Sequence, residues 1–442
     1  MLLPETIRMI LSRLRDAGYD AYVVGGCVRD ALLGRAAHDW DICTAALPSQ
    51  THAVFAGLDV RDTGLRHGTV TLVIDREPFE ITTFRVDGVY SDGRRPDSVA
   101  FTGSIREDLR RRDFTVNAMA YSPETGLIDP FGGQADLAAG VIRCVGGPAA
   151  RFSEDALRIL RALRFASRLG FRIEEETDAA MRAMSMRLAD IASERVKVEL
   201  EGMLTGPGVL PVLLAYPDVL GSVIPEITPC VGFDQLNPYH IYDVWEHTAH
   251  SVEAIAPEPV LRWTMLMHDL GKPACFSEKG EGRRGHFYGH GRVSAVLADG
   301  IMERLRFSAG ERALIRELIE NHDRFIAPNS RAVRRELSRV GRGQFERSLL
   351  VRIADIEAQN PEYGPPRLRE MEQIRQLERD ILAADECLTL KDLAVRGGDL
   401  IALGYRPGPA LGKELERLLS VVLDEPGKND RAYLLELAAR DM

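Results

Sequence analysis

The hydrophobic pattern of this 442-residue chain changes period once, and that change limits the architectures open to it. Up to about residue 140, short apolar runs at 21–24, 40–44, 69–74 and 79–84 read as strands, separated by turns rich in Gly, Asp and Pro. A helix precedes them, because Ile7, Ile10, Leu11 and Leu14 fall on one face. Asp75 to Pro78 is read as the turn of a hairpin. From about Glu154 onward the apolar residues recur at helical spacing, with Pro and Gly near 206–211, 225–238, 257–259 and 360–366 marking joints. The expectation is an α/β head followed by an all-α remainder, in two to four domains.

Charge and cysteine usage narrow the class. Lys+Arg number 56 against Asp+Glu 66, a net charge of −10, which excludes a chain coated in positive charge but not a local basic groove. The six Cys form no CxxC pair, so a disulfide framework or a structural zinc site is not expected. No run of 18 apolar residues occurs and the N-terminus lacks an apolar leader core, so a cytoplasmic protein without a membrane partner is expected.

The first chemical constellation is Gly25-Gly26 followed by Arg29, then Asp39-Trp40-Asp41. Residues i and i+2 of a strand face the same way, so Asp39 and Asp41 can share Mg²⁺. Two carboxylates so placed can clamp the attacking and leaving oxygens of an in-line displacement. The glycines let a turn approach a triphosphate, and Arg29 adds charge beside it.

The run GGxVRDxLLGR with the following DWD resembles the opening motif of class II tRNA nucleotidyltransferases, the CCA-adding enzymes and their bacterial poly(A) polymerase relatives, which share a polymerase-β-like head. Three further segments resemble that family in order: Arg111-Arg112-Asp113 with Asn117, Asp129 to Gly133, and Glu154-Asp155 with Arg158. The resemblance implies that Asp113 and Asn117, four apart and on one face of a helix start, hold the ribose 2′-OH, with Arg111 and Arg112 on phosphates. It implies that Asp155 and Arg158, on one helix face at i and i+3, select the base. An Asp only accepts and an Arg only donates, which suits the amino and ring nitrogen shared by cytosine and adenine and not the carbonyls of uracil and guanine. Glu154 is read as capping or supporting that helix. The segment 85–96 resembles the family's loop tied to A addition. Glu80 is either a third carboxylate near the metal, a base for the 3′-OH proton, or a surface residue.

A second constellation lies in the helical part. His268-Asp269 is followed by Gly271-Lys272, with His247 before it, Asp355 after it, and His290 and His322 between. The ordered set resembles the HD phosphohydrolase superfamily and implies a metal site at His247, His268, Asp269 and Asp355. Imidazole and carboxylate together suit Mn, Ni, Co or Fe.

Arginine is concentrated in two windows, 151–172 and 324–352, with Arg161, Arg164 and Arg168 at helical spacing beyond the base-selecting pair. Such stripes suit an RNA backbone held by shape; Arg161 and Arg164 are counted with the nucleotide site. The resemblance extends to 404–413 and so covers essentially the whole chain. It implies a head at 1–140, a neck at 141–205, a body with the HD domain at 206–365 and a tRNA-binding tail at 366–442. The expected activity is addition of C, C and A to tRNA from CTP and ATP, as a monomer or homodimer. The alternatives are an A-adding enzyme or poly(A) polymerase, and a metal phosphohydrolase acting on RNA ends or nucleotides.

Overall fold

The structure, a computed structural model, describes residues 1–37, 39–88, 99–279 and 284–440. The chain forms two compact units, Met1–Pro225 and Glu226–Met442.

The first unit opens with the helix Glu5–Asp16, which buries Ile7, Ile10, Leu11 and Leu14 as their spacing requires. Among the described residues eleven short strands follow in this unit: β1 (Ala21–Val24), β2 (Ile42–Thr44), β3 (Asp59–Gly64), β4 (Thr69–Ile74), β5 (Glu77–Thr83), β6 (Arg85–Asp87), β7 (Val99–Phe101), β8 (Ala120–Ser122), β9 (Gly126–Ile128) and the parallel pair β10 (Val141–Ile142) and β11 (Arg172–Ile173). Seven of them make one sheet in the order β3-β4-β5-β2-β1-β8-β9, with β2 and β5 parallel and the other pairs antiparallel. β6 and β7 pair separately, on either side of 89–98; most of the loop expected at 85–96 therefore lies outside the described residues.

The β4–β5 hairpin forms, but its turn is tighter than expected. Asp75 and Arg76 both take positive φ, 51° and 71°, the two-residue turn whose twist matches the strands. Glu77 and Pro78 are already paired with Ile74 and Val73. Pro78 is tolerated because β2 pairs with β5 only from Ile81 onward, leaving that edge without a partner strand.

Helices take over after the strands. Pro148–Glu154, Leu157–Leu169, Glu175–Met184 and Ser193–Leu204 complete the site-bearing part of this unit. The second unit carries the helices Val244–Ala254, Pro259–Met267, His290–Arg304, Ala309–Glu320, Ser330–Val340, Arg342–Glu357 and Gly364–Ala383, with further helices toward the end. Val333, Leu337, Phe345, Leu349 and Ile374 form one of its apolar cores. Among the described residues no single helix is long and apolar enough to cross a membrane.

Candidate active site and metal centre

β1 ends at Val24, and Gly25, with φ 78°, starts the helix Gly26–Leu32 in a conformation that other residues resist. A Cβ there would also stand 2.8 Å from Arg112 Nη1, so a side chain at this position would push that guanidinium aside. The strand expected over 40–44 begins only at Ile42, so Asp39 and Asp41 lie just before β2 rather than on it, and the Asp41 carbonyl accepts from Val24 N–H at 3.0 Å. The Asp41 carboxyl is held above the usual range, chiefly because the cleft walls displace water; Arg112 opposes the shift and the Asp39 charge adds to it.

One cleft of about 600 Å³ gathers Gly25, Gly26, Arg29, Asp39, Asp41, Arg111, Arg112, Asp113, Asn117, Asp155, Arg158 and Arg161. Glu80 and Arg164 stand outside it. Glu80 instead lines a neighbouring hollow of about 690 Å³ that Asp39 and Asp41 also border. Arg164 donates to Glu199 Oε2 at 2.5 Å and stacks 4.4 Å from the Phe165 ring.

The polar network of the cleft is dense. Asp108 is buried between Arg111 and Arg112, at 2.9 and 3.5 Å; burial would raise its carboxyl, but the two guanidiniums hold it below the usual range. Asp113 accepts from Phe114 N–H at 2.8 Å, Asn117 Nδ2 at 3.2 Å and Arg161 Nε at 2.8 Å. Burial alone would push Asp113 up; Arg161 and the N–H donors bring it down to about 2. Arg29 Nη1 donates to Asn117 Oδ1 at 2.6 Å. Asp113 and Asn117 do face each other, but through the short 3-10 turn Thr115–Asn117 rather than an α-helix start. That turn is held by the next motif. Asp129 accepts from the N–H groups of Gly133 and Gln134 at 2.7 and 2.9 Å, and Gly133 packs so closely that a Cβ would lie 2.3 Å from the Thr115 carbonyl oxygen.

Asp155 and Arg158 are not on one helix face. Asp155 ends Pro148–Glu154 in extended backbone, φ −147°, and its Oδ1 accepts from Leu157 N–H at 3.0 Å, starting the next helix. The chain breaks here because Asp155 caps more favourably than it continues a helix. Arg158 is buried; it pairs with Glu154 and donates to the Arg111 carbonyl at 3.1 Å. Glu154 thus supports Arg158. Asp155 Oδ2 is taken by Arg195 Nη2 at 2.7 Å. Arg195 lines the same cleft and stands in none of the motifs; its approach needs the fold of a helix forty residues on, which no local spacing signals.

In the second unit, His247 lies on Val244–Ala254, His268 closes Pro259–Met267, His290 opens His290–Arg304, His322 follows Ala309–Glu320, and Asp355 lies on Arg342–Glu357. All are buried, with Asp269. Each ring's Nδ1 meets a backbone carbonyl: His247 with Ala358 at 3.2 Å, His268 with Met265 at 2.7 Å, His290 with Phe287 at 2.8 Å and His322 with Ile319 at 2.7 Å. Nδ1 carries the proton, and Nε2 turns inward as a donor atom. His247 Nε2 lies 3.1 Å from Asp355 Oδ1 and 3.3 Å from Asp269 Oδ2; His290 Nε2 lies 3.2 Å from Asp269 Oδ1 and 3.1 Å from His322 Nε2.

Among the described residues two groups could hold a metal ion, His247/His268/Asp355 and His268/Asp269/His322, with donor atoms within 4.8 Å of one another. Inward imidazole nitrogens and paired carboxylates fit a divalent cation. The demand for positive charge is visible in His268: burial pushes it down, yet Asp269 and Asp355 hold it up at about 10. A cleft of about 530 Å³ opens beside His290, His322 and Asp355, walled by Lys272, Arg352, Arg367, Tyr239 and Tyr288.

A profile of the poly A polymerase head domain matches residues 21–143, one of an RNA- and SrmB-binding site of polymerase A matches 170–227, one of the HD domain 239–360, and one of tRNA nucleotidyltransferase domain 2 348–438. The CCA-adding enzyme of Limosilactobacillus fermentum is 34% identical over 456 residues, covering 98% of this chain and 96% of that enzyme. The CCA-adding enzyme of Pediococcus pentosaceus is 34% identical over 452 residues, with the same coverage of both. The crystal structure of the Bacillus stearothermophilus CCA-adding enzyme in complex with CTP aligns at a TM-score of 0.71 and 28% identity, over 100% of this chain and 98% of that one. Similarity sustained from the paired aspartates of the head through the histidine centre to the last helices places this chain in the CCA-adding enzyme family of nucleotidyltransferases.

Proposed function

We propose that this chain adds C, C and A to the 3′ end of tRNA, using CTP and ATP, without a nucleic-acid template. The observation that carries the reading is the single cleft in which Asp39 and Asp41 face the same space as Asp155 and Arg158. The nucleotide's base lies against Asp155 and Arg158, its ribose by Asp113 and Asn117, and its phosphates by the Gly25-Gly26 turn, Arg29, Arg111 and Arg112. Arg161 acts on Asp113, and Arg164 braces the neck helix through Glu199. The tRNA 3′-hydroxyl attacks the α-phosphate, the new phosphodiester forms, and pyrophosphate leaves. Asp39 and Asp41 would hold Mg²⁺, whose chemistry is to stabilise charge on the phosphoryl oxygens. Glu80, outside the cleft but lining the hollow that both aspartates border, serves either as a further carboxylate near the metal or as a base for the 3′-OH proton. Domain limits of 1–140, 141–205, 206–365 and 366–442, and a cytoplasmic setting, belong to the same proposal.

The test is a run-off assay on tRNA lacking one, two or three terminal nucleotides, with each NTP supplied separately. Stepwise C, C and A addition is expected. Unlimited A tracts would point to poly(A) polymerase, and A alone to an A-adding enzyme.

A second activity is favoured by one specific feature. His290, His322 and Asp355 border a cleft walled by Arg352 and Arg367, cations that suit a phosphate ester, while Lys272 in the same wall pairs with Asp269 at 2.6 Å. The HD centre would hold Mn, Ni, Co or Fe through His247, His268, Asp269 and Asp355, joined by His290 and His322. Chelator-sensitive release of phosphate from 2′,3′-cyclic or 3′-phosphorylated RNA ends, lost in His268→Ala, tests it.

A further inference from the structure

We propose that Arg195 is the positioning residue through which Asp155 rejects the wrong base. The inference rests on the reading of Asp155 and Arg158 as the base-selecting pair, and adds a third member that none of the motifs contains.

Three observations carry it. Arg195 sits in the first turn of Ser193–Leu204, yet lines the cleft with Asp155, Arg158 and Arg161. Its Nη2 donates to Asp155 Oδ2 at 2.7 Å, while Leu157 N–H holds Oδ1 at 3.0 Å. Its Nη1 is buried without a hydrogen-bond partner. A guanidinium that leaves a buried nitrogen unsatisfied gives up stability at that spot. What it secures in exchange is the orientation of one carboxylate.

That orientation matters because of where Asp155 stands. It lies between two helices in extended backbone, and of these two only the second reaches its side chain, through Leu157 N–H at one oxygen. Held only by Leu157 N–H, the carboxylate can pivot about one oxygen. Held also by Arg195, it presents its remaining lone pairs in one direction. A fixed acceptor bonds the amino group of cytosine or adenine and meets the carbonyl of uracil or guanine as acceptor against acceptor. A pivoting carboxylate can turn away from that carbonyl and admit water between them. Rejection by an unpaired polar group is the strong form of discrimination, and it exists only if the group cannot move aside. Arg195 therefore acts on selectivity more than on turnover of the correct nucleotides. Lysine would keep the charge but lose the planar fork that sets direction.

The full-length protein carrying Arg195→Ala, Arg195→Lys or Asp155→Ala, and the double variant, would be assayed for kcat/KM with CTP, ATP, UTP and GTP on tRNA acceptors ending before each position. In Arg195→Ala the CTP-over-UTP and ATP-over-GTP ratios are expected to fall at least about tenfold, with a smaller change in kcat for CTP. Arg195→Lys should recover part of the ratio, and the double variant should select no worse than Asp155→Ala alone, because both act through one carboxylate. Parental ratios in Arg195→Ala, or an equal loss with all four nucleotides, would overturn the inference by reducing Arg195 to a helix brace. Parental ratios in Asp155→Ala would instead remove the base-selecting reading itself, and this inference with it.

Discussion

Gln359 Nε2 donates to Asp355 Oδ2 at 3.0 Å while Asp355 Oδ1 faces His247 Nε2 at 3.1 Å. The Gln359 carbonyl oxygen accepts in turn from Arg367, on the helix Gly364–Ala383. This relay decides which oxygen Asp355 offers to the imidazoles. Gln359→Ala is expected to weaken divalent-metal binding about 10- to 100-fold, as loss of such outer partners does. Metal titration by calorimetry reads it directly. An affinity equal to the parent's would mean that the histidines alone orient Asp355.

Asp39→Ala and Asp41→Ala are each expected to abolish nucleotide incorporation while leaving the circular dichroism spectrum and melting curve of the protein intact. Both carboxylates border open cleft space rather than a packed core, so little packing is lost with them. Parental incorporation by either variant would sink the two-carboxylate assignment.

Gly133→Ala places a methyl group 2.3 Å from the Thr115 carbonyl and 2.9 Å from the Met119 side chain. A main-chain oxygen cannot step aside cheaply, so a cost of about 1–3 kcal/mol is expected. The displaced turn carries Asn117. The variant should therefore show a lower melting midpoint together with poorer discrimination of ATP against dATP. A normal midpoint would mean that the helix starting at Gly133 slides without resistance.

Asp113 is held down at about 2, chiefly by Arg161 acting against burial. A carboxyl depressed in the folded state stabilises it above the unfolded value near 4, and that contribution is lost as pH falls through about 2. The shift corresponds to about 2 kcal/mol at neutral pH. Asp113→Asn should lower stability most at pH 7, with the difference from the parent shrinking between pH 4 and pH 2. Urea unfolding at several pH values measures it, and a difference independent of pH would refute the ion-pair account.

The two arginine windows separate in the structure. In 324–352, Arg331 and Arg335 both pair with Asp424 at 2.7 Å, Arg334 pairs with Glu386 at 3.0 Å, Arg339 with Glu336 at 2.6 Å and Arg342 with Glu346 at 2.9 Å. Those charges are matched within the protein. Arg168 and Arg172, in the other window, are exposed. Replacing Arg168 and Arg172 by Ala is expected to lower the salt slope of tRNA binding by roughly one unit for each phosphate no longer bound. Arg331→Ala with Arg335→Ala should leave that slope nearly unchanged and loosen the packing of Ser330–Val340 on Pro409–Asp424. The opposite pattern would return the RNA track to 324–352.

Where local chemistry dictated local shape, the pattern was legible. The opening helix, the Gly25 turn, the hairpin and the switch to helices all follow from spacing and turn residues. β3, with the sequence Asp-Val-Arg-Asp-Thr-Gly, gives no apolar alternation because it is an exposed edge strand whose pairing to β4 comes from the sheet. The helix break at Asp155 was hidden for a different reason. Spacing of i and i+3 is the same whether a carboxylate rides a helix or caps the next one. Arg195 was out of reach altogether, since its partner lies forty residues away. At the histidine centre four candidate ligands, His247, His268, Asp269 and Asp355, could be read as an ordered set, but that His290 and His322 converge with Asp269 required the helices to be packed.

Three of the four histidine rings, His268, His290 and His322, tie Nδ1 to the carbonyl three residues upstream. The angle of each ring is thus inherited from its own stretch of backbone and not negotiated with its neighbours. A centre built this way is modular. Each segment arrives with its donor atom already aimed, and only the distance between segments has to be set by helix packing. The cleft wall that touches none of the ligands, Tyr239 and Tyr288 among it, is then free to change its chemistry over evolutionary time without re-aiming the imidazoles.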